Sequence, residues 1–252
     1  MKVLGVIPTR YKSTRFPGKA LAKLGNKPLI QWVYENAKKA KLDRVIIATD
    51  DQRIFKTVQE FGADVLLTSS HHCSGTERVA EVAKKIKAEI IVNIQGDEPF
   101  LKHQMIRFLV KNFMEDKSAD IGTLATSIKN REDLVNPHVV KVVFDKKGYA
   151  LYFSRFAIPY LRDQDNRASC LIESGAVCQY FKHLGIYVYK RKALLDFVKF
   201  PLGRLEKMEC LEQLRALENG MRIKIIITKD DTLGIDTPQD LKRAEEWLRR
   251  LN

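Results

Sequence analysis

Residues 3–19 read VLGVIPTRYKSTRFPGK and indicate the fold more strongly than any other part of the chain. Residues 3–7 form an apolar run that predicts a buried strand, and an amphipathic helical pattern begins at Leu29. Between them lie four cations, Arg10, Lys12, Arg15 and Lys19. A cationic loop at the carboxyl end of a first strand is a typical place for an α/β protein to bind polyphosphate. The alternative interpretation is a solvated basic loop.

This loop lacks the glycine-rich phosphate motifs. A Walker A loop would need glycine in place of Ser13, and serine or threonine in place of Ala20. The chain contains no Gly-x-Gly, which excludes the dinucleotide fingerprint. We therefore expect phosphate to be bound by arginine forks and lysine point charges.

Composition limits the class of protein. The 252 residues suffice for one α/β domain or two smaller ones, and the 45% hydrophobic and 30% charged fractions are typical of soluble proteins. No apolar run approaches the length of a membrane helix, and the four cysteines are scattered, so we expect a cytoplasmic protein with reduced thiols. The net charge of +13 favours an acidic partner, either a nucleotide with an acidic sugar or a nucleic acid. No recognisable nucleic-acid-binding module accompanies that charge.

Strand and helix patterns alternate along the first half of the chain. They predict an α/β fold with a doubly wound, mostly parallel (Rossmann-like) sheet. The predicted strands are 2–8, 44–49, 63–67 and 89–94, and the predicted helices are 29–41, 52–61, 76–87 and 103–113. After residue 120 strands dominate, at 121–126, 139–144, 150–153, 180–189 and 222–228, with helices at 192–198, 205–218 and 238–251. A polar loop is expected at residues 161–175.

Two aspartates follow predicted strands. Asp97 comes just after strand 89–94, and Asp236 lies just before the last helix. The carboxyl ends of strands in an α/β sheet border the ligand crevice, and magnesium uses one or two carboxylates together with substrate phosphates. The pair therefore predicts a magnesium site, with helix capping as the alternative for each residue.

A turn at residues 74–78, SGTER, opens a predicted helix. Its free backbone N–H groups suit nucleotide contacts, and a capping box between Ser74 and Glu77 is compatible with that role. Farther along, His183 and Tyr187 lie four residues apart on a predicted strand and so share a face. As isolated residues they could equally be satisfied members of the core.

The ordered motifs resemble those of sugar nucleotidyltransferases, and more narrowly the 3-deoxy-manno-octulosonate (Kdo) cytidylyltransferases, or CMP-Kdo synthetases. The similarity covers about residues 3–240. It is carried by IPTR and STRFPGK (7–10, 13–19), SGTER (74–78), NIQGDEP (93–99), SR with IP (154–155, 158–159), HLGIY (183–187) and LEQLR (211–215). Glu77 replaces the aspartate usual in that family, and Thr9 replaces its more frequent alanine.

The resemblance implies transfer of CMP from CTP to Kdo with Mg²⁺, for lipopolysaccharide synthesis. It also implies a homodimer and a single nucleotidyltransferase domain, 1–252, with a β-rich sugar-binding and dimerisation insert at about 136–190. The implied catalytic residues are Arg10, Lys19, Asp97 and Asp236, with Asp97 and Asp236 binding the metal. The implied nucleotide-binding residues are Pro8, Arg10, Arg15, Lys19, Ser74, Gly75, Arg78, Gln95 and Asp97. The implied sugar-binding residues are Arg155, His183, Tyr187, Glu212 and Gln213.

Two alternatives stay open at this point. One is a cytidylyltransferase for another acidic sugar such as sialic acid. The other is a basic nucleic-acid-binding protein, for which we would expect salt-dependent affinity and no dependence on Asp97.

Overall fold

The computed structural model describes residues 1–13, 15–162 and 180–251, without the side chains of Trp247, Arg250 and Leu251. Most of the loop predicted at 161–175 lies outside the described residues. Contacts divide the chain into two compact units. Unit 1 comprises Met1–Val110, Ile186–Val198 and Thr232–Asn252, and unit 2 comprises Lys111–Gly185 and Lys199–Asp231. The domain boundaries expected from the sequence stay a prediction.

The elements follow the predicted alternation closely. The strands are β1 (Val3–Thr9), β2 (Lys23–Leu24), β3 (Lys27–Pro28), β4 (Arg44–Thr49), β5 (Val65–Leu67), β6 (Ile90–Asn93), β7 (Ile121–Ser127), β8 (Lys141–Phe144), β9 (Ala150–Ser154), β10 (Phe181–Lys190) and β11 (Ile223–Ile227). The α-helices are α1 (Leu29–Lys39), α2 (Gln52–Glu60), α3 (Gly75–Lys85), α4 (His103–Glu115), α5 (Arg131–Val135), α6 (Arg191–Phe197), α7 (Arg204–Glu209), α8 (Gln213–Glu218) and α9 (Pro238–Leu251). None of the described helices combines the length and apolarity that crossing a membrane requires.

The sheet of unit 1 is mostly parallel, which confirms the predicted fold class. Its order is β10, β6, β1, β4, β5, and only β10 runs antiparallel, to β6. All seven residues of β1 are buried, as expected for a central parallel strand. After β1, the next strands of this sheet, β4 and β5, lie on one side of β1, and the following strand, β6, lies on its other side. This reversal creates a switch point between β1 and β6, where α/β proteins bind ligands beyond the carboxyl ends of the strands.

In unit 2, β7 pairs with β11 in parallel, and β8 pairs with β9 as an antiparallel hairpin. The hairpin turn lies at residues 146–148, between the strands predicted at 139–144 and 150–153. Asp145 Oδ1 accepts hydrogen bonds from the backbone N–H groups of Lys147 and Tyr149, both at 2.8 Å. Gly148 has a φ of +79°, a conformation that favours glycine.

The helix predicted at 205–218 is wrong, because the structure has two helices there, α7 and α8. Cys210 breaks the pattern with a left-handed backbone, φ +50°. The Arg155 side chain donates to the carbonyls of Glu209, at 2.6 Å, and Cys210, at 3.2 Å. A continuous helix would use those carbonyls internally, so a long-range contact replaces two helical hydrogen bonds.

Candidate active site

A cavity of about 330 Å³ lies at the switch point of unit 1. All nine predicted nucleotide-binding residues line it, and so does Asp236. The structure therefore brings together segments that follow β1, precede α3, follow β6 and precede α9. Among the described residues, five more that line the cavity were missed by sequence reasoning: Thr9, Ser13, Ala20, His72 and Gly96.

The cationic loop after β1 closes on itself. The backbone N–H of Gly18 donates to the carbonyl of Tyr11 at 2.8 Å, and Gly18 has a φ of +72°. A Cβ at Gly18 would also lie 3.0 Å from the Tyr11 ring, so the conformation favours glycine and the space is tight for any larger residue. A 3₁₀ turn, Lys19–Leu21, follows at once and was not predicted.

Lys19 joins the two predicted metal ligands. Its ammonium contacts the carboxylate of Asp97 and lies 3.0 Å from Asp236 Oδ1. Arg15 Nη2 lies 2.9 Å from Asp236 Oδ2, so a second loop cation holds the same carboxylate. The backbone also connects the acidic segments, because the N–H of Ile235 donates to the carbonyl of Asp97 at 2.8 Å. The two carboxylates thus converge on one cation.

These contacts shift the proton affinity of the cluster. Burial alone would lower the pKa of Lys19, but the charges and hydrogen bonds of Asp97 and Asp236 outweigh it and hold that pKa above its usual value. Burial would raise the pKa of Asp236, but Lys19 and Arg15 outweigh it and hold that pKa below its usual value. The ammonium and the Asp236 carboxylate therefore stay charged at neutral pH.

The opposite wall is built on the start of α3. Ser74 caps this helix by accepting a hydrogen bond from the N–H of Glu77 at 3.2 Å. The Glu77 carboxylate accepts from the N–H of Cys73 at 2.8 Å. Arg78 is buried and forms an ion pair with Asp50 at 3.1 Å, which fixes its guanidinium at the cavity wall.

His72 is the missed residue with the most specific contacts. Its Nε2 lies 2.6 Å from Glu81 Oε2, and its Nδ1 lies 3.8 Å from Glu77 Oε2. Burial would raise the pKa of Glu81, but hydrogen bonds from Lys85, the N–H of Ser69 and His72 lower it to about 2. Because Glu81 is ionised and can only accept, His72 Nε2 is the donor. The sequence signal for this residue is its position two residues before the turn that starts at Ser74.

The predicted sugar-binding residues do not line this cavity. Arg155, in unit 2, donates to the carbonyls of Glu209, Cys210 and Pro137, the last at 2.9 Å. In this structure its guanidinium therefore binds backbone carbonyls of unit 2.

Glu212 and Gln213 stand at the start of α8. Glu212 Oε1 accepts from Arg215 at 3.3 Å, and Gln213 is buried. From His183 to Val188 of β10, burial alternates so that His183 and Tyr187 belong to the same, less buried set of positions, as predicted. The roles of these residues in sugar binding stay predictions.

His183 is held as a neutral imidazole. Burial lowers its pKa from 6.5 to about 3. Its Nε2 lies 2.9 Å from the Thr123 hydroxyl, and its ring packs edge-on against Phe153 with centroids 5.1 Å apart. These contacts suit a ring that hydrogen-bonds without carrying charge.

We expect this histidine to make the protein acid-sensitive. Because its pKa is depressed in the folded state, its contribution to stability is complete above about pH 6.5 and is lost as the pH falls toward about 3. By about pH 4.5 the loss should reach roughly 2–3 kcal/mol. Urea unfolding of the wild type and of His183→Gln, which cannot titrate, should show the wild type losing more stability between pH 7 and 4.5. Parallel losses in the two proteins would contradict this account.

Comparisons with known proteins agree with this geometry. The cytidylyltransferase family profile matches residues 4–223. A relative from Thermodesulfovibrio yellowstonii named 3-deoxy-manno-octulosonate cytidylyltransferase is 50% identical and covers 98% of each chain. One of the same name from Trichlorobacter lovleyi is 47% identical over 99% of this chain and 100% of its own.

Among solved structures, CMP:2-keto-3-deoxy-manno-octonic acid synthetase complexed with CTP is 37% identical and superposes with a TM-score of 0.91, covering all of both chains. Sequence and structure therefore agree over the full length, and the nucleotidyltransferase type of the fold is confirmed. The chain belongs to the 3-deoxy-manno-octulosonate cytidylyltransferase family.

Proposed function

We propose that this protein transfers CMP from CTP to the anomeric hydroxyl of Kdo, giving CMP-Kdo and pyrophosphate, the activation step for lipopolysaccharide synthesis. The observation that carries the proposal is the convergence of three loop cations and two aspartates in one cavity, lined also by the start of α3. The full-length relatives supply the identity of the two substrates.

The cations bind and polarise the triphosphate. Arg10, Arg15 and Lys19 line the same cavity. We assign them to the charge that builds up on the pyrophosphate leaving group. Preorganised charges of this kind stabilise the transition state by several kcal/mol, because they need no reorganisation during the reaction. The start of α3, with Ser74, Gly75 and Arg78, is assigned to the cytidine side.

Asp97 and Asp236 fit a magnesium ion. They already share one cation, the Lys19 ammonium, and two carboxylates with phosphate oxygens form a donor set that magnesium prefers. When bound, the ion supplies Lewis-acid stabilisation of the α-phosphate and lowers the pKa of the attacking hydroxyl. The protein's own contribution is to place the nucleotide for in-line attack.

The five sugar-binding assignments are part of the proposal. Arg155 is assigned to the Kdo carboxylate, and His183, Tyr187, Glu212 and Gln213 to its hydroxyls. The neutral His183 suits a hydroxyl partner, because the ring can hydrogen-bond without an unpaired charge.

A homodimer in the cytoplasm completes the proposal. Unit 2 exposes several large apolar side chains, among them Leu151 at 63%, Phe156 at 77% and Met208 at 70%. Glu209 connects the segments that carry them, because its carboxylate accepts from the Ser154 hydroxyl at 2.7 Å. Exposed apolar side chains on neighbouring segments are typical of a surface that pairs with another copy.

The test is a pyrophosphate-release assay over four nucleoside triphosphates and several acidic sugars. We expect release with CTP and Kdo, and its loss when magnesium is chelated. Release with CTP and sialic acid but not with Kdo would replace the proposed acceptor. No release with any pair would refute the proposed activity.

A further inference from the structure

Tyr11 belongs to the cationic loop but does not line the cavity. Its carbonyl accepts the hydrogen bond from Gly18, and its ring lies against the same residue. Tyr11 therefore joins the two ends of the segment that carries Arg15 and leads into Lys19. The shape of this segment decides where both cations point.

Arg53 stacks on the ring of this tyrosine. Its guanidinium carbon lies 3.3 Å from the centroid of the Tyr11 ring, the distance of a close cation–π stack. Arg53 is on α2 and, like Tyr11, does not line the cavity. The stack thus connects the loop to a helix none of whose residues lines the cavity.

Asp51 holds the guanidinium in place. Arg53 Nε lies 3.0 Å from Asp51 Oδ1, and Nη2 lies 2.7 Å from Oδ2, which makes the pair a two-point fork. The hydrogen bond from Arg53 is the main reason that the pKa of Asp51 is lowered, and that from Asp51 is the main reason that the pKa of Arg53 is raised. The N–H of Asp51 donates to the Thr49 hydroxyl at 3.2 Å, which connects the Asp51–Arg53 pair to the end of β4.

We propose that Arg53 is a positioning residue for the CTP-binding loop, which it holds in its binding shape through Tyr11. The chain of contacts runs from Thr49 through Asp51 and Arg53 to Tyr11, and every link lies outside the cavity. The inference rests on the proposed function for the identity of the nucleotide.

If Arg53 served only to stabilise the fold, the helix cap at the start of α2 would be sufficient. Asp51 already caps α2 by accepting from the N–H of Arg53 at 2.9 Å, and that bond involves only the backbone of Arg53. Capping therefore survives replacement of the Arg53 side chain, whereas the stack on Tyr11 does not. This difference makes the two roles separable.

Steady-state kinetics with CTP test the positioning role. Arg53→Gln should raise the KM for CTP about three- to tenfold with little change in kcat, because a looser loop must be ordered on binding. Arg53→Lys should be intermediate, since it keeps the charge but loses the planar fork. Tyr11→Phe should behave as the wild type and Tyr11→Leu as Arg53→Gln, because only the ring is needed. Arg44→Gln is the matched control. Arg44 is an exposed arginine that pairs with Asp64 at 2.7 Å, and it does not belong to the loop.

Trypsin gives a readout that does not depend on activity. The loop offers four cleavage sites, after Arg10, Lys12, Arg15 and Lys19. We expect mass spectrometry to show faster cleavage at these sites in Arg53→Gln than in the wild type, at an unchanged melting temperature, and CTP to slow cleavage in both. Faster cleavage throughout the chain would instead indicate general destabilisation and would overturn the proposal.

Two other results would also overturn it. One is that Arg53→Gln has the same KM for CTP and the same rate of loop cleavage as the wild type. The other is independent, additive effects of Arg53→Gln and Tyr11→Leu in the double variant, since residues that act through one contact must be non-additive. If the wild type released no pyrophosphate, the proposed function would fail, and the cleavage comparison would still decide the role of Arg53.

Discussion

Replacing Asp97 by asparagine is expected to lower turnover of CTP and Kdo by about a thousandfold or more, because metal stabilisation of the transition state is worth several kcal/mol. The amide keeps the size of the side chain but removes the charge that would bind magnesium. Asp97 lies at the switch point and contacts Lys19, so the same change also removes one partner of that ammonium. Pyrophosphate release at saturating CTP and Kdo measures the effect.

The fold should survive this change. The backbone bond from Ile235 to the carbonyl of Asp97 is untouched, and Lys19 keeps Asp236 as a partner. We expect the melting temperature to stay within a few degrees of the wild type. Asp64→Asn serves as the matched control, because Asp64 is an exposed, arginine-paired aspartate outside the cavity. Wild-type turnover in Asp97→Asn would show that this carboxylate does not act in catalysis.

Replacing Lys19 by methionine is expected to have two opposite effects. Turnover should fall by about a thousandfold, because the triphosphate loses a preorganised cation. Binding of Mn²⁺ to the nucleotide-free protein should become at least about tenfold tighter, because the ammonium that now lies between Asp97 and Asp236 is gone. Titration of Mn²⁺, followed by electron paramagnetic resonance, measures the second effect without any turnover.

The second effect arises from electrostatic competition between the ammonium and the metal ion. The carboxylates of Asp97 and Asp236 hold Lys19 so firmly that its pKa is raised, and a divalent cation must displace that ammonium to bind them both. In the proposed function the phosphates of CTP would offer Lys19 another partner, so we expect nucleotide and metal to assist each other in the wild type.

Lys12→Met is the control for this experiment. Lys12 is an exposed cation of the same loop that does not line the cavity, so its loss changes the net charge equally without freeing the carboxylates. Equal Mn²⁺ affinities in the two variants would mean that Lys19 does not compete with the metal.

Much of the cavity was predictable from local patterns. The loop after β1, the turn at Ser74 and the acids Asp97 and Asp236 each follow a strand or open a helix. The parallel topology then carries such positions to one edge of the sheet. The position of His72 at the cavity was not predicted, because its own segment has no periodic pattern. Its place at the wall depends on Glu81, nine residues away on α3.

The interrupted helix shows where local patterns fail. Residues 205–218 have helical periodicity throughout, and nothing near Cys210 in the sequence signals a break. The break is stabilised by Arg155, which lies more than fifty residues earlier and donates to the carbonyls of Glu209 and Cys210. A contact between distant segments can override a local preference, because each local preference is worth less than a kcal/mol per residue.

The amino-acid pattern alone predicts the alternation of strands and helices, the positions of the cations and acids at the ends of those elements, and the resemblance to a family. These depend on the period of apolar residues and on side-chain chemistry, which are local. Three features depend on tertiary contacts: Lys19 lies between Asp97 and Asp236, Arg53 stacks on Tyr11, and Arg155 bonds to the carbonyls at the break between α7 and α8. Each of these joins segments that the chain separates by tens to hundreds of residues, and their distance is set by packing rather than by sequence neighbours.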